Sequence, residues 1–328
     1  MKSSAALLVL LICVAAISLQ AQTPPPSPQE PDYEVLRTST NMVAVPVIVK
    51  THQGAYVPNL RRENFRIYED GMEQEVSSFE TINAPFTVVL MLDVSDSTRD
   101  KLVDIQRAAI AFLDQLRTDD RAMIVAFDKG FYPLTTATSD RKVLSDAIHR
   151  VIPGGGTALY DAIDTTISAQ LKRIPGRKAI VLLTDGIDTS SVRTTFDDTL
   201  RSATEQYALV YPIQYETPGD ARKADDPFGM VYTTPSGEAL TKAYERGTRY
   251  LRRIAEISGG RFQYSDSVKH LETSFAKVAE ELRQQYSLRY YPKDPTSKGG
   301  KRRLKIVVDV PNAIVHARES YSYKPDTH

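Results

Sequence analysis

The chain has 328 residues, of which 41% are hydrophobic and 25% charged, as in globular proteins of one or two domains. Lysine plus arginine equals aspartate plus glutamate at 41 each, so the formal net charge is zero. Because no general positive field surrounds such a chain, nucleic acid is the least favoured class of partner.

The first 21 residues have the layout of an export signal. Lys2 is followed by an apolar run from about residue 5 to 17 and by the small residue Ala21, and this run is short for a membrane span. We predict cleavage after Ala21, with an uncleaved anchor as the alternative. The single cysteine, Cys13, lies in this segment, so the mature chain has no thiol chemistry. These features predict a bacterial periplasmic or extracellular protein.

Residues 22–40 are rich in proline and predict an extended spacer. Residues 41–82 alternate apolar and polar positions between glycine-containing turns, which predicts short antiparallel strands. The same period of two returns at residues 286–324. Each block alone is too small to bury a core, so we predict that the N-terminal and C-terminal strands pack together into one small β-domain.

Residues 85–285 have a different pattern. "FTVVLMLDV" is an almost continuous apolar run, typical of a strand that is covered on both faces. Amphipathic helices and strands then alternate, which predicts an α/β fold with a doubly wound, mainly parallel sheet. Residues 216–247 are rich in Gly, Pro, Asp and Thr and are predicted to form a long loop.

Three polar features follow strands or precede a helix in this region. "DVSDS" places Asp93, Ser95 and Ser97 directly after the first strand, "PGGGTALYD" carries Thr157, and "LLTDG" carries Asp185. Ligands of open parallel sheets bind at the carboxyl ends of the strands. We therefore expect these side chains to converge at one edge of the sheet.

The converging groups are hard oxygen ligands, which suit Mg²⁺, Mn²⁺ or Ca²⁺ and not zinc or copper. Hydroxyls carry no charge, so two aspartates balance a divalent ion and leave one coordination position for an external carboxylate. The sequence predicts a cation site, with Mg²⁺ as the favoured ion.

These motifs resemble the von Willebrand factor A (VWFA) domain and its metal-ion-dependent adhesion site. The family pattern is D-x-S-x-S, then a Thr, then an Asp in a T-D-G-like turn, and all five positions match between about residues 85 and 285. "FRIYEDGMEQEVSSFE" and "YSLRYYP" further resemble bacterial exported proteins of the VWFA-related group. Asp96, inside "DVSDS", departs from the pattern and adds a negative charge.

The resemblance implies a Rossmann-like sheet and metal-dependent protein binding. It also implies that the two serines bind the metal directly, whereas the aspartates and the threonine alternate between direct and water-mediated contacts. The matching positions are the five candidate metal ligands: Asp93, Ser95, Ser97, Thr157 and Asp185.

Other readings of the same residues have less support. Thr157 is also a candidate helix cap, and the triple glycine before it lacks the Gly-Lys-Ser/Thr of a phosphate loop. Asp161 and Asp188 are interpreted as solvated residues, and Asp128 as a candidate contact of a metal-bound water. The tyrosines near the C-terminus, Tyr286, Tyr290, Tyr291, Tyr321 and Tyr323, are interpreted as sheet packing.

The function predicted from these observations is that of an exported, metal-dependent protein-binding module whose partner supplies an acidic residue. Loop 216–247 either shapes the rim of the binding surface or is disordered. The alternative is a structural envelope component in which the metal only stabilises the fold. An enzyme is not expected, because the scattered histidines at 52, 149, 270, 316 and 328 supply no paired ligands or general base near Ser95 or Ser97.

Overall fold

The computed structural model describes residues 42–205, 209–215, 233–267, 270–294 and 299–323. The predicted signal (1–21) and all of the spacer (22–40) lie outside these residues, as do residues 216–232 of the predicted loop. Within the described parts of the chain, no helix has the length and apolar composition needed to cross a membrane.

The described residues contain strands and helices in an order that alternates through the middle of the chain. The strands are β1 (Val43–Thr51), β2 (Phe65–Glu69), β3 (Met72–Gln74), β4 (Val76–Glu80), β5 (Phe86–Asp93), β6 (Arg121–Phe127), β7 (Phe131–Pro133), β8 (Arg177–Thr184), β9 (Leu209–Tyr215), β10 (Gln263–Ser265), β11 (Gln285–Tyr290), β12 (Gly300–Val308), β13 (Ala313–His316) and β14 (Ser320–Tyr323). The α-helices are α1 (Leu102–Asp114), α2 (Arg141–His149), α3 (Leu159–Thr165), α4 (Phe196–Glu205), α5 (Leu240–Ser258) and α6 (Leu271–Arg283).

The central sheet has the strand order β10-β9-β8-β5-β6-β7. Its neighbouring strands are parallel except for β7, which is antiparallel to β6. All eight residues of β5 are buried, because helices cover both faces of the sheet. One apolar cluster contains side chains of α1, α2 and α6, and a second contains side chains of α3, α4 and α5. The predicted doubly wound α/β fold is confirmed.

Two antiparallel sheets combine strands from both ends of the described chain. Their strand orders are β13-β1-β11-β4 and β14-β12-β2-β3, and their inner faces share one apolar cluster. In the registers, Val47 lies opposite Tyr286 and Ile67 opposite Ile306. The expectation that N-terminal and C-terminal strands build one small β-structure is confirmed. The boundaries 41–82, 85–285 and 286–324 stay predictions.

A buried polar cluster connects four strands of this β-structure. The carboxylate of Glu69 on β2 accepts hydrogen bonds from the hydroxyls of Tyr290 and Tyr321, the latter at 2.7 Å, and forms an ion pair with Arg302. The Arg302 guanidinium lies 3.7 Å from the ring centroid of Tyr323. Every member of the cluster is buried, so the predicted packing role of these tyrosines holds. Tyr291, by contrast, is 45% exposed.

The sequence pattern of residues 157–174 predicts a single helix, but the structure is less regular. α3 ends at Thr165, a π-helical turn follows at Thr166–Gln170, and the chain closes in a 3₁₀ turn. The hydroxyls of Thr165 and Thr166 each donate to the carbonyl four residues earlier. Such back-bonding competes with the helical ladder and loosens it.

The prediction of a loop over residues 216–247 is wrong in its last part, because α5 already begins at Leu240. Gly247 lies inside α5, although glycine is unfavourable within a helix. A Cβ at this position would lie 2.4 Å from the carbonyl oxygen of Gly186. Gly247 therefore serves a close contact between α5 and the turn after β8 rather than a helix end.

Candidate metal centre

The candidate site lies at the point where the strand order of the central sheet reverses. After β5 the chain continues to β6 on one side, whereas β8 lies on the other side of β5. The carboxyl ends of two such strands open a crevice, which is the usual ligand position of open α/β sheets. Asp93 is the last residue of β5, and Asp185 directly follows β8. The fold thus brings both predicted carboxylates to the same crevice.

Asp93 is fully buried, and hydrogen bonds fix both of its carboxylate oxygens. Its Oδ1 accepts the backbone N–H of Ser95 at 3.0 Å, and its Oδ2 accepts the hydroxyl of Thr184 at 2.7 Å. The Thr184 hydroxyl also accepts the N–H of Gly186 at 3.0 Å. Thr184 therefore orients Asp93 from the neighbouring strand. Sequence analysis missed this role, although Thr184 stands next to Asp185.

The two serines connect the two acidic loops. The Oγ atoms of Ser95 and Ser97 lie 3.1 Å apart, and the Ser97 hydroxyl donates to Oδ2 of Asp185 at 2.8 Å. Oδ1 of Asp185 accepts the N–H of Ile187 at 3.0 Å. Four of the five predicted ligands, Asp93, Ser95, Ser97 and Asp185, therefore belong to one connected set of hydrogen bonds.

The loop that carries Thr157 lies between these two acidic loops. The N–H of Gly154 donates to the carbonyl of Val94 at 2.6 Å. On the other side, the N–H of Thr157 donates to Oγ1 of Thr189 at 2.8 Å, and the carbonyl of Thr157 accepts the Thr189 N–H at 2.9 Å. Thr157 is buried, with 4% of its surface exposed. These contacts connect the loop of the fifth predicted ligand to both acidic loops.

The alternative reading of Thr157 as a helix cap is wrong. The N-cap position of α3 is Ala158, and no side chain caps it by a hydrogen bond. The glycine-rich approach to Thr157 has a steric cause, because a Cβ on Gly154 would lie 1.7 Å from Oδ2 of Asp128. Oδ1 of Asp128 accepts the N–H of Gly130 at 2.6 Å. Asp128 thus adjoins the loop, and its contact with a metal-bound water stays a prediction.

Asp161 and Asp188 are structural acceptors rather than solvated residues. Asp161 is 7% exposed, and its carboxylate accepts the N–H groups of Val192 and Arg193 at 3.1 and 3.2 Å. Asp188 is half-buried and accepts the N–H of Tyr160 at 3.3 Å. Both carboxylates fix the turn after β8 against α3. Sequence analysis interpreted them as solvated and missed their burial, which depends on tertiary packing.

The electrostatics of the site follow from two like charges in a buried crevice. Burial and the nearby Asp185 carboxylate raise the pKa of Asp93 to about 7, although hydrogen bonds from Ser95 and Thr184 oppose this shift. Tyr215, at the end of β9, is fully buried, and burial together with the charges of Asp93 and Asp185 raises its pKa. The Lys101 ammonium lies 5.4 Å from the ring centroid of Tyr215. A further positive charge between the aspartates would relieve their repulsion.

The oxygen atoms fit the shell of a small divalent cation. With Mg–O distances of about 2.1 Å, adjacent ligands of an octahedron are about 3 Å apart. The Ser95–Ser97 and Ser97–Asp185 oxygen separations, 3.1 and 2.8 Å, match that spacing. No group of three or more His, Cys, Asp or Glu suited to a metal occurs among the described residues. A cation bound in this crevice would therefore depend on hydroxyl ligands in addition to the two carboxylates.

Hydrogen bonds through Gln214 connect the turn that contains Asp185 to α5. Nε2 of Gln214, a buried residue of β9, donates to the carbonyl of Asp185 at 2.8 Å, and Oε1 of Gln214 accepts the hydroxyl of Thr248 on α5 at 2.9 Å. The close approach of Gly247 to Gly186 lies one residue away from each of these partners. The sequence carried no signal for this support, because it depends on the pairing of β9 with β8.

Comparison with known proteins identifies the domain that contains the site. Residues 88–187 match the family model of the von Willebrand factor type A domain. This match confirms the resemblance found in the motifs for residues 88–187. The matched segment runs from β5 through the turn after β8 and includes all five predicted ligands.

Similar proteins include a curated relative described as a UPF0353 protein, from Mycolicibacterium vanbaalenii. It is 25% identical over 215 residues, which are 60% of this chain, and the chain spans 60% of the relative's length. A von Willebrand factor type A structure from Catenulispora acidiphila is 14% identical, with 79% of this chain and 72% of that chain covered, at a TM-score of 0.49. The conserved hypothetical protein BatB from Bacteroides thetaiotaomicron is 18% identical, with 60% and 99% covered, at a TM-score of 0.43.

Proposed function

We propose that this chain is an exported protein-binding module that depends on a divalent cation. Asp93, Ser95, Ser97, Thr157 and Asp185 hold the ion, and Mg²⁺ is the favoured occupant, with Mn²⁺ or Ca²⁺ as substitutes. The open coordination position accepts a carboxylate from an acidic residue of a partner protein. The β-structure built from both ends of the chain displays this head or docks it to a larger assembly.

The observation that supports this proposal best is the connected set Asp93, Ser95, Ser97 and Asp185 in one crevice, in which Ser97 is exposed and the other three residues are buried. A buried carboxylate needs a compensating group, and two that repel each other need it more. The donors that separate them are hydroxyls, which add no charge and leave a bound ion electron-poor. An ion held in this way retains enough Lewis acidity to bind a further carboxylate, which a site filled with Asp and Glu would not.

The first test is calorimetric titration of the purified chain with Mg²⁺, Mn²⁺ and Ca²⁺, together with Asp185→Asn. This substitution keeps the shape of the side chain, and the Ser97 hydroxyl reverses to accept a hydrogen bond from the new amide. We expect saturable one-site binding by the unaltered chain and a loss of affinity of at least about tenfold in Asp185→Asn. A folded chain that binds none of the three ions would refute the proposal.

The second test asks whether the bound ion accepts a carboxylate. With Mn²⁺ bound, the relaxation rate of water protons reports metal-coordinated water. An acetylated aspartate peptide should displace that water and lower the rate, whereas its asparagine counterpart should leave the rate unchanged. If the metal binds and raises the melting temperature but no carboxylate displaces water, the structural-envelope alternative is favoured.

The variant Thr157→Ala further distinguishes the protein-binding module from the structural envelope component. In the binding module, loss of this ligand removes metal-dependent capture of the partner while the fold stays stable. In the structural alternative, it lowers the melting temperature sharply. The proposal also includes no catalytic turnover, because the Ser97 hydroxyl donates to Asp185 and the two serine hydroxyls share a hydrogen bond, with no histidine base among these partners.

A further inference from the structure

The β-structure contains a recess with a cationic rim. In the sequence, the cations of this rim are far from the candidate metal ligands. The recess has a volume of about 810 Å³ and lies between β12 and the segment that connects β13 to β14. Three exposed cations of β12 line it: Lys301, Arg303 and Lys305. None of the five predicted metal ligands contributes to its lining.

The three cations share one side of β12 because side chains alternate along a strand. The same side carries Tyr68, which lies opposite Lys305 on β2. Successive members of the row are therefore about 6.6 Å apart. Within the described parts of the chain, no salt bridge involves Lys301, Arg303 or Lys305. Their charges are thus available to a ligand.

The remaining charged residues of the recess do not cancel this row. Asp70 accepts the backbone N–H of Arg303 at 2.9 Å, and Glu319 is the second carboxylate of the lining. Arg318 also lines the recess but is buried, and its guanidinium donates to the carbonyl of Ala44. With four cations against two carboxylates, the lining has an excess of positive charge.

We propose that this recess binds an extended acidic segment of a partner protein, with carboxylates at alternate residues. An extended polypeptide repeats its side chains every second residue at the same spacing of about 6.6 Å as the cation row. Such a segment places each carboxylate beside one cation, whereas its intervening side chains point away from the recess. The Gly300–Arg303 half of β12 pairs with β14 and the Leu304–Val308 half with β2. The proposed contacts are made by the side chains of the cation row, so recognition depends on side chains and not on strand addition.

The test measures fluorescence anisotropy of two labelled peptides on the full chain. The first is acetyl-Glu-Val-Glu-Val-Glu-Val-amide, and the second has the same composition in blocks, Glu-Glu-Glu-Val-Val-Val. All titrations contain EDTA, so that a carboxylate cannot be captured by a bound metal. The result is therefore independent of the proposed metal-dependent function, and either one can fail without the other.

We expect the alternating peptide to bind at least about threefold more tightly than the block peptide. Each exposed ion pair contributes about two- to fivefold in affinity, so the triple variant Lys301→Gln, Arg303→Gln and Lys305→Gln should lose about tenfold or more. Binding should weaken strongly between about 0.1 M and 1 M salt, because the screening distance falls from about 10 Å to about 3 Å.

A matched control removes the same charge elsewhere. Arg107, Lys142 and Lys277 are exposed cations on α1, α2 and α6 that do not line the recess, and their triple change to glutamine should leave peptide affinity unchanged. Melting temperatures of both triple variants verify the fold. Equal binding of the two peptides, equal losses in the two triple variants, or tighter binding of a single-stranded oligonucleotide than of the alternating peptide would each overturn the proposal.

Discussion

Two buried polar clusters in this protein have similar parts and different charge balances. In the β-structure, the carboxylate of Glu69 meets the Arg302 guanidinium and two tyrosine hydroxyls, all of which donate hydrogen bonds. At the carboxyl edge of the central sheet, Asp93 and Asp185 are joined through serine hydroxyls and repel each other. The first cluster pairs one carboxylate with one guanidinium, whereas the second brings two carboxylates together, and the proposed cation would balance their charge. Burial alone therefore does not distinguish a structural cluster from a site; the charge balance does.

The largest expected effect on stability is that of Glu69→Ala, in the cluster of the β-structure. Removing the carboxylate leaves the buried Arg302 without its anion, which costs about 3–5 kcal/mol of unfolding free energy. Urea denaturation measures the loss, and it should be the same with EDTA or with Mg²⁺. Glu73→Ala, at an exposed position of β3, is the control and should change stability by less than about 0.5 kcal/mol. A loss below about 1 kcal/mol in Glu69→Ala would contradict the structural role.

The second prediction concerns Asp185→Asn, whose effect on stability, unlike that of Glu69→Ala, should depend on the presence of Mg²⁺. In EDTA, Asp185→Asn should change the unfolding free energy by less than about 1 kcal/mol, because one of two repelling charges disappears while the hydrogen bonds persist. In the unaltered chain, Mg²⁺ at about 100 times its dissociation constant should add about 2.7 kcal/mol, and the variant should lack this gain.

Asp161→Asn is the control for that experiment. Its carboxylate also accepts backbone N–H groups in a buried turn but is not a predicted ligand. We expect this variant to be less stable in EDTA and to keep the gain from Mg²⁺. A full Mg²⁺ response in Asp185→Asn would show that the cation binds elsewhere.

A third, smaller effect is expected from Gly247→Ala on α5. The added Cβ meets the carbonyl oxygen of Gly186, so stability should fall by about 2 kcal/mol and metal affinity should fall with it, since Gly186 follows Asp185. Denaturation and metal titration measure the two effects. Lys242→Ala, exposed on the same helix, is the control. A gain of about 0.5–1 kcal/mol, the usual result of replacing glycine within a helix, would contradict the contact.

The smallest effect concerns Gln214→Leu, which removes the link between Asp185 and Thr248 without a large change of volume. The buried Asp185 and the half-buried Thr248 each lose a hydrogen bond, so we expect a loss of about 1–2 kcal/mol in stability and a several-fold weaker metal affinity. Thr248→Val removes only the outer bond and should have about half the effect on stability. Unchanged metal affinity in Gln214→Leu would show that the turn holds Asp185 without this support.

The sequence predicted the central fold and the convergence of the site because both depend on local patterns. The apolar run of β5 indicates a strand covered on both faces, and parallel strands bring Asp93 and Asp185 to one edge. Thr184, Gln214 and Gly247 could not be recognised, since their roles depend on which strands and helices become neighbours. Gly247 shows this most clearly: its intrinsic tendency predicts a helix end, and a tertiary contact overrides it.

The strand pairing of the β-structure also has a consequence for biosynthesis. β1 pairs with β11 and β13, and Glu69 on β2 bonds to Tyr321, 252 residues later. A ribosome therefore releases β1–β4 long before their partners exist, while the central sheet completes itself from its own neighbouring segments. Unpaired strands in a growing chain invite aggregation. Chaperone protection during synthesis should consequently matter most for the first strands. Folding of the β-structure should be the slow, late step.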